Sequence, residues 1–198
     1  EIGVRLVGSE MCIRDSMESL IRQLEEAGIA DDTVIVISPD HYPYALERSA
    51  TWGNAENYLT ELYGVTEMDR FTRDSNALII WSGCLEDKNL KVETPVYSLD
   101  ILPTLSNLFG LNYDSRLLVG RDVFSDTEPL VLWPEYSWKT DKGTYDSGSR
   151  TFTPAEGVEV DDSYVDRIKA IVSNKISYSR EVQNLKYFQV LSDFLNGK

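Results

Sequence analysis

The sequence predicts an α/β fold: a sheet flanked by helices, then a small antiparallel C-terminal sheet and a helical tail. Three observations predict it. Thr33-Val34-Ile35-Val36-Ile37-Ser38 and Asn76-Ala77-Leu78-Ile79-Ile80-Trp81 are short apolar runs, the first rich in β-branched residues. Such runs read as buried strands, and the first suits a parallel sheet. Leu130 to Trp133, Ser137 to Thr140, Thr144 to Asp146 and Thr151-Phe152 read as small strands, separated by turn signals at Asp141-Lys142-Gly143 and Ser147-Gly148-Ser149. Beyond Asp161-Asp162-Ser163, apolar residues recur at helical spacing.

Taken in order, the segment 1–16 shows no clear amphipathic period. Met11-Cys12-Ile13-Arg14-Asp15-Ser16 resembles the translation of a transposon end used in sequencing-library preparation. Residues 1–16 are therefore expected to be non-native read-through, with Met17 internal to a longer protein; the other reading is a helix start capped by Asp15 or Ser16. Met17, Leu20, Ile21, Leu24 and Ala27 then fall at helical spacing, and Gly28 suits a C-terminal cap. Asp31-Asp32 turns into the first strand. Asn54 is placed to cap a helix through Glu56, Tyr58, Leu59 and Leu62 that ends at Gly64. Met68 to Asp74 reads as a loop or a single turn, and Gly83 to Lys91 as a polar connection. Ser98 or Asp100 is the expected N-cap of a helix to Gly110, with Pro103 in its first turn. Leu117 to Phe124 is a short apolar-to-turn segment. Val165, Ile168, Val172 and Ile176 give the tail one apolar face, continued by Val182, Leu185, Phe188, Leu191 and Leu195 after a break near Ser177–Ser179. Packing of the tail onto the domain is the expected outcome.

A chain of 198 residues buries one good core, so one main domain is expected. Its 33 acidic and 19 basic residues give a formal net charge of −14. That argues against nonspecific binding of nucleic acid or anionic membrane through a basic face. No apolar run approaches the roughly 18 residues of a membrane span, and no N-terminal stretch has a signal-peptide layout. The two cysteines, Cys12 and Cys84, form neither a disulfide framework nor a metal motif.

The candidate chemistry sits at Asp40-His41, directly after the first strand, and His41 is the only histidine. In open α/β sheets ligands bind beyond the carboxyl ends of strands. A carboxylate beside an imidazole suits Mn, Zn or Fe better than Ca. The same residues also fit turn chemistry before Pro43, or a packed histidine among aromatics. Two ligands are in any case too few for a complete site. Cys84 reads as a reactive or an inert thiol, and Asp100 as a helix cap rather than a catalytic acid.

Three ordered segments carry a resemblance. Ser38-Pro39-Asp40-His41-Tyr42-Pro43-Tyr44 resembles the Asp-His-Tyr signature of the sulfatase-like lipoteichoic acid synthases. Pro95-Val96-Tyr97-Ser98-Leu99-Asp100-Ile101-Leu102-Pro103-Thr104-Leu105 resembles their Asp-Ile-x-Pro-Thr segment. Leu118-Val119-Gly120-Arg121-Asp122-Val123-Phe124-Ser125 resembles their Gly-x-Asp-Leu-Phe-Ser element. The match runs from about Met17 to about Thr153.

The resemblance implies an alkaline-phosphatase/sulfatase-like fold, with 17–155 as the C-terminal part of the catalytic domain and 156–198 as a helical tail. It implies a bacterial enzyme of the cell membrane, anchored by N-terminal helices, whose catalytic domain faces outward. The implied reaction transfers glycerol phosphate from phosphatidylglycerol, a lipid-linked substrate, through a covalent intermediate on a Thr. The implied cofactor is Mn, or Mg or Zn, with Asp40 and His41 as two of its ligands; Tyr42 is a candidate substrate contact and no nucleic acid takes part. The family's nucleophile, its upstream acidic ligand and its substrate-binding His and Arg should all precede residue 17. Thr33 and Thr51 are poor substitutes for the nucleophile. The chain by itself is therefore expected to be inactive and to bind Mn weakly or not at all. A sulfatase or phosphoethanolamine-transferase relative, and a non-enzymatic acidic module, are the alternative readings.

Overall fold

The computed structural model describes residues 2–42, 55–85 and 90–197, with backbone alone over 2–11 and 55–58. The expected roles of Pro43, Tyr44, Thr51 and Asn54 thus fall outside the described residues. The chain forms two units, 1–91 and 92–198. Its architecture is mixed α/β, with a small antiparallel four-stranded sheet and C-terminal helices.

In the first unit α1 spans Ile2–Glu26. It runs unbroken through Asp15 and Ser16, so neither is an N-cap, and the Ser16 hydroxyl donates back to Cys12 O instead. The helix ends where the sequence placed its end. Gly28 adopts φ +69°, its N–H donates to Glu25 O, and Ile29 N–H donates to Leu24 O. That double closure satisfies carbonyls the last turn would leave unpaired. Strand β1, Val34–Ile37, follows, then α2, Ala55–Tyr63, closed at Gly64 by the same device. A single turn, α3, covers Arg70–Arg73 and is capped by Asp69, whose carboxylate accepts from Phe71 N and Thr72 N.

Strand β2, Ile79–Ser82, pairs antiparallel with β1, Val34 opposite Ser82 and Ile37 opposite Ile79. This corrects the expectation of a buried strand in a parallel sheet. Val34 and Ile37 are exposed, and Ile79 is 53 % exposed. A run of β-branched residues favours extended backbone whatever its partner, so the pattern carried no information on direction.

The second unit holds the larger core. Helix α4, Ile101–Leu108, is entered by a 3₁₀ turn at Ser98–Asp100 and closed at Gly110. Strands β3 (Val131–Leu132), β4 (Trp138–Thr140), β5 (Gly143–Asp146) and β6 (Thr151–Pro154) form an antiparallel meander in that order. Helix α5, Tyr164–Asn184, lays Tyr164, Ile168 and Val172 against Trp138 and Tyr145. Trp138 stacks on Tyr145 at 5.5 Å and meets Tyr164 edge-on at 6.2 Å. The Tyr164 hydroxyl and Thr140 Oγ1, both buried, satisfy each other at 2.8 Å.

The expected break near Ser177–Ser179 does not occur. Ile176 packs on the core and Lys175 Nζ donates to Val119 O at 2.6 Å, anchoring α5 across that stretch. The chain breaks instead at Lys186, at φ 48°, before α6, Tyr187–Leu195. No helix among the described residues is long and apolar enough to cross a membrane.

Candidate functional site

Pro39 lacks an N–H and follows β1 by two residues, so the ladder stops and the chain turns out of the sheet. Asp40 and His41 lie in that turn. Asp40 Oδ1 is 3.4 Å from His41 Nε2, and the two side chains are 88 % and 48 % exposed. His41 Nδ1 is 2.7 Å from Tyr42 O. A carbonyl oxygen only accepts, so Nδ1 donates to it, and Nε2 is the ring nitrogen that faces the Asp40 carboxylate.

That arrangement passes a simple test for a shared cation. Two ligands each about 2.05 Å from one ion are roughly 3.3 Å apart at a tetrahedral angle and about 2.9 Å apart at a right angle. The observed 3.4 Å fits the wider value. A ligating imidazole that donates its other N–H to a backbone carbonyl is the usual supporting contact. Among the described residues no cluster of three or more His, Cys, Asp or Glu residues joins the pair. Among the described residues the pair therefore stands as two candidate ligands.

Tyr42 lies beneath Arg73, whose guanidinium carbon is 4.8 Å from the ring centroid, and Arg73 Nε donates to Asp74 Oδ1 at 2.9 Å. Thr33 Oγ1 donates to Ile29 O at 2.8 Å, tying the start of β1 to the end of α1. Cys84 Sγ sits 3.3 Å from the Ser82 hydroxyl, a neutral neighbour.

The other two motifs meet in the second unit. Asp100 is 1 % exposed, and its carboxylate accepts Arg121 N–H at 2.8 Å and Tyr97 N–H at 3.2 Å. Burial raises its pKa; those two N–H groups and the charges of Arg121 and Lys175 work the other way. Thr104 Oγ1 donates to Asp100 O and accepts Val123 N–H. Asn107 Nδ2 donates to Asp122 Oδ2 at 2.6 Å, and Asp122 Oδ1 accepts Phe124 N–H. A Cβ at Gly120 would stand 2.0 Å from Leu99 O. Asp100 is thus a joint rather than a catalytic acid, reaching back to Tyr97 as a cap and forward to the Leu118–Ser125 segment. Sequence reading missed this lacing; its one signal was Gly-x-Asp, a close-approach glycine beside an Asx turn.

No family model matches the chain. Lipoteichoic acid synthase 2 of Bacillus subtilis is 25% identical over 175 residues, 85% of this chain and 25% of that protein. Lipoteichoic acid synthase of Staphylococcus saprophyticus is 27% identical over 123 residues, 59% of this chain and 18% of that protein. The chain spans about a quarter or less of the length of these curated relatives. Both bear out the resemblance carried by the three motifs and relate the chain, at low identity, to the lipoteichoic acid synthases.

Proposed function

We propose that the chain is the C-terminal portion of an extracellular, metal-dependent phosphotransferase of the lipoteichoic acid synthase type. The juxtaposition of Asp40 Oδ1 and His41 Nε2 at 3.4 Å, with Nδ1 donating to Tyr42 O, carries the reading. The similarity to two lipoteichoic acid synthases supports it. In this reading Asp40 supplies an anionic oxygen and His41 a neutral nitrogen to one divalent cation, Mn first and Mg or Zn next. Such a cation stabilises charge developing on phosphoryl oxygens and lowers the pKa of a hydroxyl beside it. The transferred group is glycerol phosphate from phosphatidylglycerol, carried on a Thr supplied by the rest of the protein, which also supplies the remaining ligands and the membrane anchor. Tyr42 stands next to the pair and offers an aromatic wall to the substrate.

With two candidate ligands among the described residues, the chain alone is expected to bind Mn weakly and to lack transferase activity. Weak binding is still selective, and Mn is paramagnetic, so nuclei near it broaden first. Titrating the ¹⁵N-labelled chain with MnCl₂ should broaden Asp40 and His41 ahead of the other acidic stretches. Asp40→Asn and His41→Ala should each remove that selectivity. Broadening spread evenly over the acidic residues, with none favouring 40–41, rejects the metal reading. Micromolar or tighter binding that His41→Ala abolishes overturns the expectation of weak binding.

A further inference from the structure

We infer that the second unit carries a ligand site of its own, a cavity at Arg121 that takes a small, singly charged oxyanion bearing hydroxyl groups; the inference does not depend on the metal reading above. The cavity measures about 430 Å³, within the roughly 300–1,000 Å³ of small-molecule sites. Val123 and Pro129 line it with Arg121, and the exposed residues Thr94, Ser125 and Thr127 bring hydroxyls to it. The backbone that carries Arg121 and Val123 is fixed, because their N–H groups donate to the Asp100 carboxylate and to Thr104 Oγ1.

Arg121 selects an anion. Its side chain reaches three acceptors among the described residues, and all are neutral. Nη1 donates to Asp122 O at 3.3 Å and Val123 O at 3.4 Å, and Nη2 donates to Thr94 Oγ1 at 3.2 Å. These distances lie at or beyond the long end of the N–H···O range. Nε is buried without an acceptor. A guanidinium is always charged and has five N–H donors, and a part-buried charge without a counter-ion is costly. The neighbouring carboxylates are engaged elsewhere. Asp100 accepts the backbone N–H groups of Arg121 and Tyr97, and Asp122 accepts from Asn107 Nδ2 and Phe124 N. Lys142, also in the cavity wall, is paired with Glu128 at 2.9 Å. The positive charge of Arg121 is therefore left for a ligand oxyanion, and Nη2 has a second proton to offer it beside Thr94.

The rest of the wall decides what accompanies that charge. With Glu128 paired to Lys142, Asp126 and Asp141 still oppose Arg121. A doubly charged anion is repelled by them, whereas the O–H groups of a polyol donate to carboxylates. Thr94 Oγ1 accepts from Arg121 and keeps its own proton to donate. One guanidinium, two carboxylates and these hydroxyls match a monoanion with several O–H groups, either a polyol phosphodiester or a hydroxy carboxylate.

Two probes separate those sources: glycerophosphoglycerol for the diester and glycerate for the carboxylate. Titrated into the ¹⁵N-labelled chain at low ionic strength, at least one should shift Arg121 Nε–H and the amides of Thr94, Ser125 and Thr127, with a Kd of about 1 mM. Dimethyl phosphate and acetate keep the charge without the hydroxyls, and glycerol keeps the hydroxyls without the charge. Each should bind at least roughly fivefold more weakly. Arg121→Gln should weaken the preferred probe about tenfold, and Thr94→Val about fivefold. Asp126→Asn should strengthen binding of inorganic phosphate and leave the preferred probe no tighter. In ligand-free spectra, unmoved β4 and β5 amide signals show that a variant is folded, and Thr94→Val, at an exposed position, carries the test if Arg121→Gln is not. An absence of shifts at about 50 mM of both probes overturns the proposal. So does acetate binding as well as glycerate with dimethyl phosphate binding as well as glycerophosphoglycerol, or an affinity unchanged in both folded Arg121→Gln and Thr94→Val.

Discussion

At Gly120 the space for a side chain is already taken. A methyl group there would meet Leu99 O at 2.0 Å and Leu99 C at 2.3 Å, and both are backbone atoms that cannot rotate away. Gly120→Ala should therefore cost about 2–4 kcal/mol, read as a lower urea midpoint. The adjoining Asp100 makes a prediction of opposite character. Its folded pKa lies above the ordinary aspartate value, chiefly because burial penalises the charge. Between the unfolded and folded pKa values the native state binds more protons than the unfolded state. Stability from this group is thus greatest below the unfolded value, and it declines as pH rises through the folded one. Asp100→Asn removes that titration and turns one acceptor into a donor facing a backbone N–H, a cost that does not depend on pH. The wild type's stability advantage over Asp100→Asn should therefore be larger near pH 4 than near pH 7, measured by urea unfolding at both. An advantage that grows with pH would contradict the assignment.

The elements differ in how much supports them. Among the described residues β1 and β2 pair only with each other, and Val34, Ile37 and Ile79 face solvent. Two strands alone are marginal in water. By contrast β4 and β5 are interior strands of the meander, backed by α5 and the buried Trp138, Tyr145 and Tyr164. Amide hydrogen exchange should therefore be faster in Ile35 and Val36 than in Lys139 and Tyr145. Equal protection would mean that β1 and β2 have support beyond each other. The same contrast explains what the sequence disclosed. Element positions were readable, because Gly28, Gly64 and Gly110 mark helix ends by their backbone chemistry. The direction of β1 was not, since side-chain pattern is blind to which strand lies alongside. Nor was the continuity of α5, which is held by Lys175 reaching Val119 from 56 residues away.

Over the whole molecule the site was legible in part. Asp40 and His41 stood out as a unique pair after a strand, and the structure brings them within 3.4 Å. The support beneath them was hidden, because Arg73 lies 31 residues beyond Tyr42 in a stretch that reads as a plain turn. The two later motifs looked like family labels and turn out to be two halves of one joint. Asp100 to Arg121, Thr104 to Val123 and Asn107 to Asp122 are bonded across an exposed loop at Leu111 to Asp114. The chain can therefore be severed within that loop and its two ends remain laced together. A protease nick at Asn112 would leave a complex of two polypeptides rather than a broken domain, and the same loop is a natural place to open new termini.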